Sequence, residues 1–205
     1  MDREGNGVVS GAPQIGRPLK IAHTTYVLML VPAYWARYGL GNFLWFSDLA
    51  LIGMVPALWG ERRRLTGMIA LAILLPEIPW NVGYFTRLVT GRELFGLSDY
   101  MFDRHKPVWL RALSLFHVWL PGLALWTVCR LGYDPRAFRT QMIAGEAVLL
   151  ASYKWTRPEE NVNWVYGPGN KPQKKLSRGL YLVTVMIFFP LCVWWPTHRM
   201  LKRLG

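Results

Sequence analysis

Long apolar segments separated by short charged turns restrict the fold of this chain more than any other feature. A helix that crosses the hydrocarbon of a bilayer needs about 20 mostly apolar residues. Five stretches qualify, and a sixth, 21–38, has a shorter apolar centre that carries His23 and Pro32. The five are 42–59, 66–88, 108–131, 136–156 and 179–198. The sequence therefore predicts an all-α fold, a polytopic transmembrane helical bundle of five or six spans.

Composition and charge agree with a membrane location. The chain has 205 residues, which suits one domain, and its 11 Trp and 9 Tyr are residue types that collect at bilayer interfaces. Its net charge of +12 comes mostly from Lys and Arg between the apolar segments, where they would face anionic lipid headgroups. We therefore expect membrane lipids rather than nucleic acid as partners, and a multi-pass membrane protein.

The N-terminal segment differs from the rest of the chain. Residues 1–20 are polar and rich in Gly, and they lack the apolar core of a signal peptide. We expect 1–20 to be flexible and 21–205 to form a single transmembrane helical domain.

Four ionisable residues lie inside the apolar segments, namely Asp48, Glu77, His117 and Glu146. A charged group deep in a bilayer costs several kcal/mol, so each of the four is a candidate functional residue that should point into the bundle. Asn81, four residues after Glu77, shares its helix face. The four could form one buried network, with carboxylates accepting and the imidazole donating.

Structural roles remain open for each of these residues. Glu77 could pair with an Arg or with the backbone near Pro76, and Glu146, beside Gly145, could lie at a close helix contact. Asp48 could cap a helix or serve as a partner for the histidine. His117 could simply donate a hydrogen bond to a neighbouring helix.

The sequence predicts no metal site and no cofactor. The histidines at 23, 105, 117 and 198 form no HxxxH or HxxH pair, and Cys129 and Cys192 form no CxxC pair. A His–carboxylate metal site built from separate helices, or axial ligation of a haem or chlorin by one buried His, stays open as an alternative.

Three stretches together resemble a known group of membrane proteins. They are "NFLWFSDLALIG", "SLFHVWLPGLALWTVCRLGYDPRA" and "NVNWVYGPGNKP", in that order along roughly 40–200. Their order and spacing resemble the YwaF-type bacterial integral membrane proteins and, more remotely, the eukaryotic transmembrane protein 164 group. The chain is also similar to a set of bacterial membrane-associated proteins. The resemblance implies a small helical bundle in a membrane, for a bacterial protein the inner membrane.

Some eukaryotic relatives in that group are regarded as acyltransferases that act on phospholipid acyl chains with a Cys nucleophile and a His. The resemblance places Ser47 at the nucleophile position and His117 at the base position. A serine, unlike a thiol, must have its proton removed by a base. Asp48 is a further catalytic candidate, but adjacent helical residues point about 100° apart, so Glu77 or Glu146 is better placed to orient the imidazole.

The predicted substrate-binding residues are Asn81, Asn163 and Tyr166. Asn163 could bind a developing oxyanion, and the loop "NVNWVYGPG" could shape the mouth of a cavity or be an ordinary interhelical turn. The leading functional hypothesis is a lipid-directed acyltransferase or hydrolase that uses Ser47 and His117. The alternatives are a non-catalytic accessory subunit of a larger membrane complex, and a small transporter or proton relay.

Overall fold

The structure, a computed structural model, describes residues 15–169 and 171–204. These residues form helices and turns without a β-strand, so the prediction of an all-α fold is confirmed. We number the helices α1 (Arg17–Tyr38), α2 (Phe46–Trp59), α3 (Arg63–Ile73), α4 (Glu77–Thr90), α5 (Val108–Leu131), α6 (Arg136–Trp155) and α7 (Arg178–Leu204). Short 3₁₀ turns lie at Leu40–Leu44, Asp99–Met101 and Val162–Trp164.

Two of these helices are interrupted, and a third interruption separates α3 from α4. In α5, a turn at Ser114 and Leu115 divides Val108–Leu113 from Phe116–Leu131. In α7, Phe189–Trp194 forms a π-helical turn at Pro190, where the missing proline N–H disturbs the helical ladder. The axes of α3 and α4 differ by 53° across a short break that contains Pro76.

Helix α3 lies at the centre of the bundle. It packs against α2, α5, α6 and α7, and from Thr66 to Ile73 nearly every side chain is buried. Its small residues permit these contacts: a Cβ on Gly67 would lie 2.8 Å from the Cβ of Ala137 on α6, closer than carbon atoms can approach without a shift. The buried apolar side chains of the surrounding helices form one continuous core around α3.

The number of spans differs from the five or six predicted. Within the part of the chain that the structure describes, α5 and α7 are long and apolar enough to cross a membrane, and the bent pair α3–α4 makes a third if it counts as one span. Part of segment 42–59 lies in the 3₁₀ turn, which leaves α2 with 14 residues, or about 21 Å against about 30 Å of hydrocarbon. Helix α6 carries charges at both ends and Glu146 in its middle.

The outer surface carries many large apolar side chains. Leu28 on α1, Val89 on α4, Ile143 on α6 and Leu191 on α7 are each more than half exposed. An apolar exterior of this extent is unusual for a soluble monomer and suits contact with lipid.

At the N-terminus, α1 begins at Arg17, four residues before the predicted boundary at residue 21. Lys20, expected in the flexible segment, is buried and its Nζ lies 2.9 Å from Oε1 of Glu61. The expectation of flexibility for residues 1–14 lies outside the described residues.

Candidate functional site

Glu77 and His117 form a hydrogen-bonded pair across the bundle. Glu77 is the first residue of α4, and His117 follows the interruption in α5. The Nδ1 atom of His117 lies 2.9 Å from Oε2 and 3.0 Å from Oε1 of Glu77. Both side chains are mostly buried, with exposed fractions of 13% and 8%. When Nδ1 donates to the carboxylate, Nε2 is left as the basic nitrogen of a neutral imidazole.

Three further side chains hold this pair in place. The ring of His117 stacks against Trp80 and Phe116, with ring centres 4.5 and 4.1 Å apart. The Nδ2 group of Asn81 donates 2.9 Å hydrogen bonds to the backbone carbonyls of both Glu77 and His117. Because these contacts come from two different helices, they fix the imidazole in position as well as orientation.

The pair faces a cavity of about 580 Å³. Ser47 and Asp48, from the first turn of α2, line the same cavity as Glu77 and His117. The remaining wall includes both aromatic and charged side chains. The aromatic ones are Tyr34, Tyr38, Trp45, Phe46, Trp80, Tyr100, Trp164 and Phe189, and the charged ones are Arg37, Lys106, Arg157, Glu159 and Glu160. Four of the five predicted catalytic residues therefore meet in one pocket.

The Ser47 hydroxyl makes no hydrogen bond to the imidazole in this conformation. Ser47 is buried and lines the cavity, while the ring hydrogen bonds of His117 to described residues go to Glu77. Hydrogen bonds between a nucleophile and its base are often long without substrate and shorten in the substrate complex. Ser47 is the second residue of α2, so its backbone N–H has no acceptor within the helix.

Asp48 is the most buried ionisable side chain of the cavity wall, at 3% exposure. Its Oδ1 atom is shielded from solvent and has no hydrogen-bond partner among the described residues. Asp48 interacts electrostatically with both His117 and Glu77. Two of the carboxyl groups that line the cavity thus have different surroundings, since Glu77 is paired with the imidazole and Asp48 has no hydrogen-bond partner among the described residues.

Asn163, predicted to bind an oxyanion, supports the start of α2. Its Oδ1 accepts a 3.0 Å hydrogen bond from the backbone N–H of Phe46. Its Nδ2 donates to the carbonyl of Leu44 at 2.7 Å and to Oγ of Ser152 at 3.0 Å. Both amide hydrogens are therefore used, and neither is left for a substrate, although Asn163 lines the cavity.

The other three predicted residues lie outside the cavity wall. Asn81 bridges two backbone carbonyls, as described above, and the Tyr166 hydroxyl donates to the carbonyls of Tyr153 and Thr156. Glu146 lies on α6, away from the pair, and its Oε2 has no hydrogen-bond partner among the described residues. The neighbouring Gly145 makes a close helix contact, because a Cβ there would overlap the ring of Trp194 on α7.

Sequence reasoning missed the tyrosine hydroxyl groups of the cavity. The hydroxyls of Tyr34 and Ser114 hydrogen-bond to each other, and the Tyr100 hydroxyl interacts with Ser114. Burial raises the pKa of Tyr100, so this phenol stays protonated. Ser114 lies three residues before His117, a spacing that indicates a shared helix face, but no local pattern marks the two tyrosines.

Cationic side chains also line the cavity, namely Arg37, Lys106 and Arg157. The Nζ of Lys106 is 5.2 Å from the ring centre of Tyr38 and 5.4 Å from that of Tyr100. Arg157 is paired with Glu160 at 3.1 Å. Among the described residues, no three His, Cys, Asp or Glu side chains are grouped as a metal site would require.

The arrangement has the parts of a general-base site. A carboxylate orients a histidine, the second ring nitrogen carries the basic lone pair, and a serine hydroxyl lines the same cavity. No family model, curated protein or solved structure matches this chain.

Proposed function

We propose that this protein is a multi-pass membrane enzyme that transfers or hydrolyses the acyl chain of a lipid ester. His117 is the general base and Ser47 the nucleophile. The observation that carries the proposal is the Glu77–His117 pair, held by stacking and by Asn81, in the wall of a cavity that Ser47 also lines. The resemblance to membrane acyltransferases, in which a nucleophile and a histidine occupy the same positions, supports it.

The proposed reaction has two halves. The Ser47 Oγ attacks the ester carbonyl carbon while its proton passes to Nε2 of His117, and the tetrahedral intermediate then expels the alcohol, which takes that proton. An acyl-serine ester remains. In the second half, water or another alcohol attacks this ester, gives its proton to His117, and releases the acyl group as Ser47 regains a proton.

Glu77 supports both proton transfers. Its carboxylate accepts the Nδ1–H bond, which selects the tautomer with a basic Nε2 and stabilises the imidazolium that forms when Nε2 is protonated. The negative charge on the carbonyl oxygen needs hydrogen-bond donors. The backbone N–H groups of Ser47 and Asp48, in the first turn of α2, supply them in place of the Asn163 amide, whose hydrogens have other partners.

A lipid acyl chain fits the apolar part of the cavity wall. Phe46, Leu97, Trp164 and Phe189 line the cavity beside the polar residues, and an acyl chain would cover these surfaces. Helices α5 and α7 would cross the membrane together with the bent pair α3–α4. By its resemblance to bacterial proteins, we assign the chain to a bacterial inner membrane.

The decisive experiment combines activity-based labelling with turnover. Purified protein in lipid nanodiscs is treated with a fluorophosphonate probe, which reacts with activated serines, and is assayed with a fluorescent ester lipid. We expect labelling at Ser47 and lipid cleavage, both lost in Ser47→Ala. In His117→Gln both should fall by about 10²-fold or more.

Two matched variants control for nonspecific damage. Ser177→Ala changes a serine that caps α7 at the surface, and His105→Gln changes an exposed loop histidine; both should behave as wild type. If Ser47→Ala keeps full turnover while His117→Gln loses it, water is the nucleophile and the role of Ser47 is wrong. If the wild-type protein is neither labelled nor active on any ester lipid, the enzyme proposal fails and the accessory-subunit alternative is favoured.

A further inference from the structure

Asp48 has a role that the reaction above leaves unassigned. The side chain is almost fully buried, lines the cavity, and follows the nucleophile Ser47 in the chain. Its Oδ1 has no hydrogen-bond partner among the described residues. A buried polar atom without a partner is unusual in a folded protein and suggests that a ligand supplies the missing contact.

The surroundings of Asp48 disfavour its ionised form. Burying an unpaired carboxylate is costly, and such a group usually keeps its proton instead. The titratable groups that interact electrostatically with Asp48 are three phenols, one carboxylate and one imidazole, namely Tyr34, Tyr38, Tyr100, Glu77 and His117. Further charged side chains line the same cavity, namely Arg37, Lys106, Arg157, Glu159 and Glu160. Among the described ion pairs, none includes Asp48.

Burial is the largest effect on Asp48 and raises the pKa of its carboxyl group. The imidazole of His117 acts in the opposite direction, and the Glu77 carboxylate adds a smaller repulsion that again disfavours a second negative charge nearby. The N-terminus of α2 favours an anion, and this helix-dipole effect is smaller than the cost of burying an unpaired charge.

We propose that Asp48 is protonated in the resting protein and donates a hydrogen bond from its carboxyl group to the oxyanion that forms on the substrate. The proton stays on Asp48 throughout, so this step adds no further proton transfer to the reaction. A neutral carboxylic acid placed in this way acts together with the backbone N–H groups of α2. The catalytic role rests on the proposed function, whereas the protonation state does not.

The protonation state is tested by infrared spectroscopy of the whole protein in nanodiscs. A protonated carboxyl group has its own carbonyl stretching band, separate from that of a carboxylate. We expect this band in the wild type at neutral pH and its loss in Asp48→Asn. If the wild type and Asp48→Asn give the same spectrum in this region, Asp48 is ionised and the inference is overturned, whatever the turnover shows.

The catalytic role is tested by turnover of the ester lipid as a function of pH. Asp48→Asn keeps a hydrogen-bond donor that cannot ionise, and should retain turnover within about 10-fold of wild type, whereas Asp48→Ala should lose about 10²- to 10³-fold. In the wild type, turnover should fall as rising pH removes the Asp48 proton. This alkaline fall should be absent in Asp48→Asn.

Glu146 provides a matched control, because its buried Oε2 also has no hydrogen-bond partner among the described residues. Glu146→Gln changes that group outside the cavity and should leave turnover and pH profile as in wild type. If Asp48→Ala and Asp48→Asn lose equal amounts of turnover, or neither loses any, the donor role is wrong. If Asp48→Ala does not fold, the infrared band and the pH profile of Asp48→Asn decide. If the wild type shows the band but cleaves no lipid, the proposed function fails while the protonation state stands.

Discussion

His117 and Glu77, 40 positions apart in the chain, meet through Nδ1 and the two carboxylate oxygens at 2.9 and 3.0 Å. Each lies directly after a helix interruption, Glu77 after Pro76 and His117 after the turn at Ser114 and Leu115. Asn81 donates to the backbone carbonyl of each residue. The imidazole is thus positioned by two interrupted helices, and hydrogen bonds from the Asn81 side chain join them.

The charge of Glu77 should be essential to the reaction. Glu77→Gln keeps the size of the side chain, but its amide neither stabilises the imidazolium nor enforces the tautomer with a basic Nε2. We expect kcat for the ester lipid to fall by about 10²- to 10⁴-fold with little change in KM. Glu93→Gln, in an exposed loop, is the matched control. A loss of less than about threefold in Glu77→Gln, which corresponds to about 0.7 kcal/mol, would show that the pair does not orient a base.

Asn81 should act on both stability and turnover. Asn81→Ala removes two hydrogen bonds to buried or partly buried backbone, which should lower the free energy of unfolding by about 1–3 kcal/mol and loosen the imidazole. The thermal unfolding temperature in nanodiscs and kcat, measured on the same samples, should both decrease. Because Asn81 lies outside the cavity wall, KM should change little. A raised KM at unchanged stability would instead support the substrate-binding role predicted from sequence.

Substitution of Asn163 distinguishes a structural role at the start of α2 from a role in oxyanion binding. Its backbone is left-handed, with φ of +51°, and its amide holds the start of α2. Asn163→Gly keeps the backbone conformation without strain but loses the three hydrogen bonds, so it should destabilise the fold by about 2–4 kcal/mol. Turnover per folded molecule should stay near wild type, as measured after titrating the labelled active sites. A large loss of kcat in fully folded protein would contradict this expectation.

The cost of burying charge made part of the site predictable. Asp48, Glu77 and His117 stand out in apolar segments, and the argument that such residues turn inward placed three of them in one cavity. The same argument failed for Glu146, because a side chain beside a close helix contact can be shielded from solvent without reaching the cavity. Asn163 looked like a catalytic amide in sequence, yet its partner Phe46 is 117 positions away, and no local pattern reveals such a contact.

The number of membrane spans was harder to predict, because it too depends on contacts that no local pattern reveals. Counting apolar residues does not show where a helix begins, and α2 loses part of its predicted length to the 3₁₀ turn at Leu40–Leu44. The break between α3 and α4 depends on how Pro76 is accommodated by neighbouring helices. The long apolar segments are enough to predict the fold class, whereas the number of spans depends on these tertiary details.

Outside the candidate spans, Asp134 should make stability depend on pH. Its Oδ1 accepts a 2.9 Å hydrogen bond from the backbone N–H of Arg136 at the start of α6, and Arg64 lies 3.3 Å from its Oδ2. The hydrogen bond from Arg136 and the nearby Arg64 lower the pKa of Asp134 from its ordinary value of 3.8. A lowered pKa means that the folded state favours the carboxylate, so the stabilisation is complete above the ordinary pKa and is lost as pH falls through the lowered value.

Asp134→Asn keeps an oxygen acceptor and removes only the charge. It should therefore lower the free energy of unfolding at neutral pH by up to about 1 kcal/mol, and the difference from wild type should shrink as pH falls below the ordinary pKa of Asp. Asp134→Ala also removes the acceptor, so it should be less stable than Asp134→Asn at every pH. Thermal unfolding of the three proteins across this pH range measures both effects. A difference between wild type and Asp134→Asn that stays constant down to the lowest pH would mean that the Asp134 charge does not stabilise the start of α6.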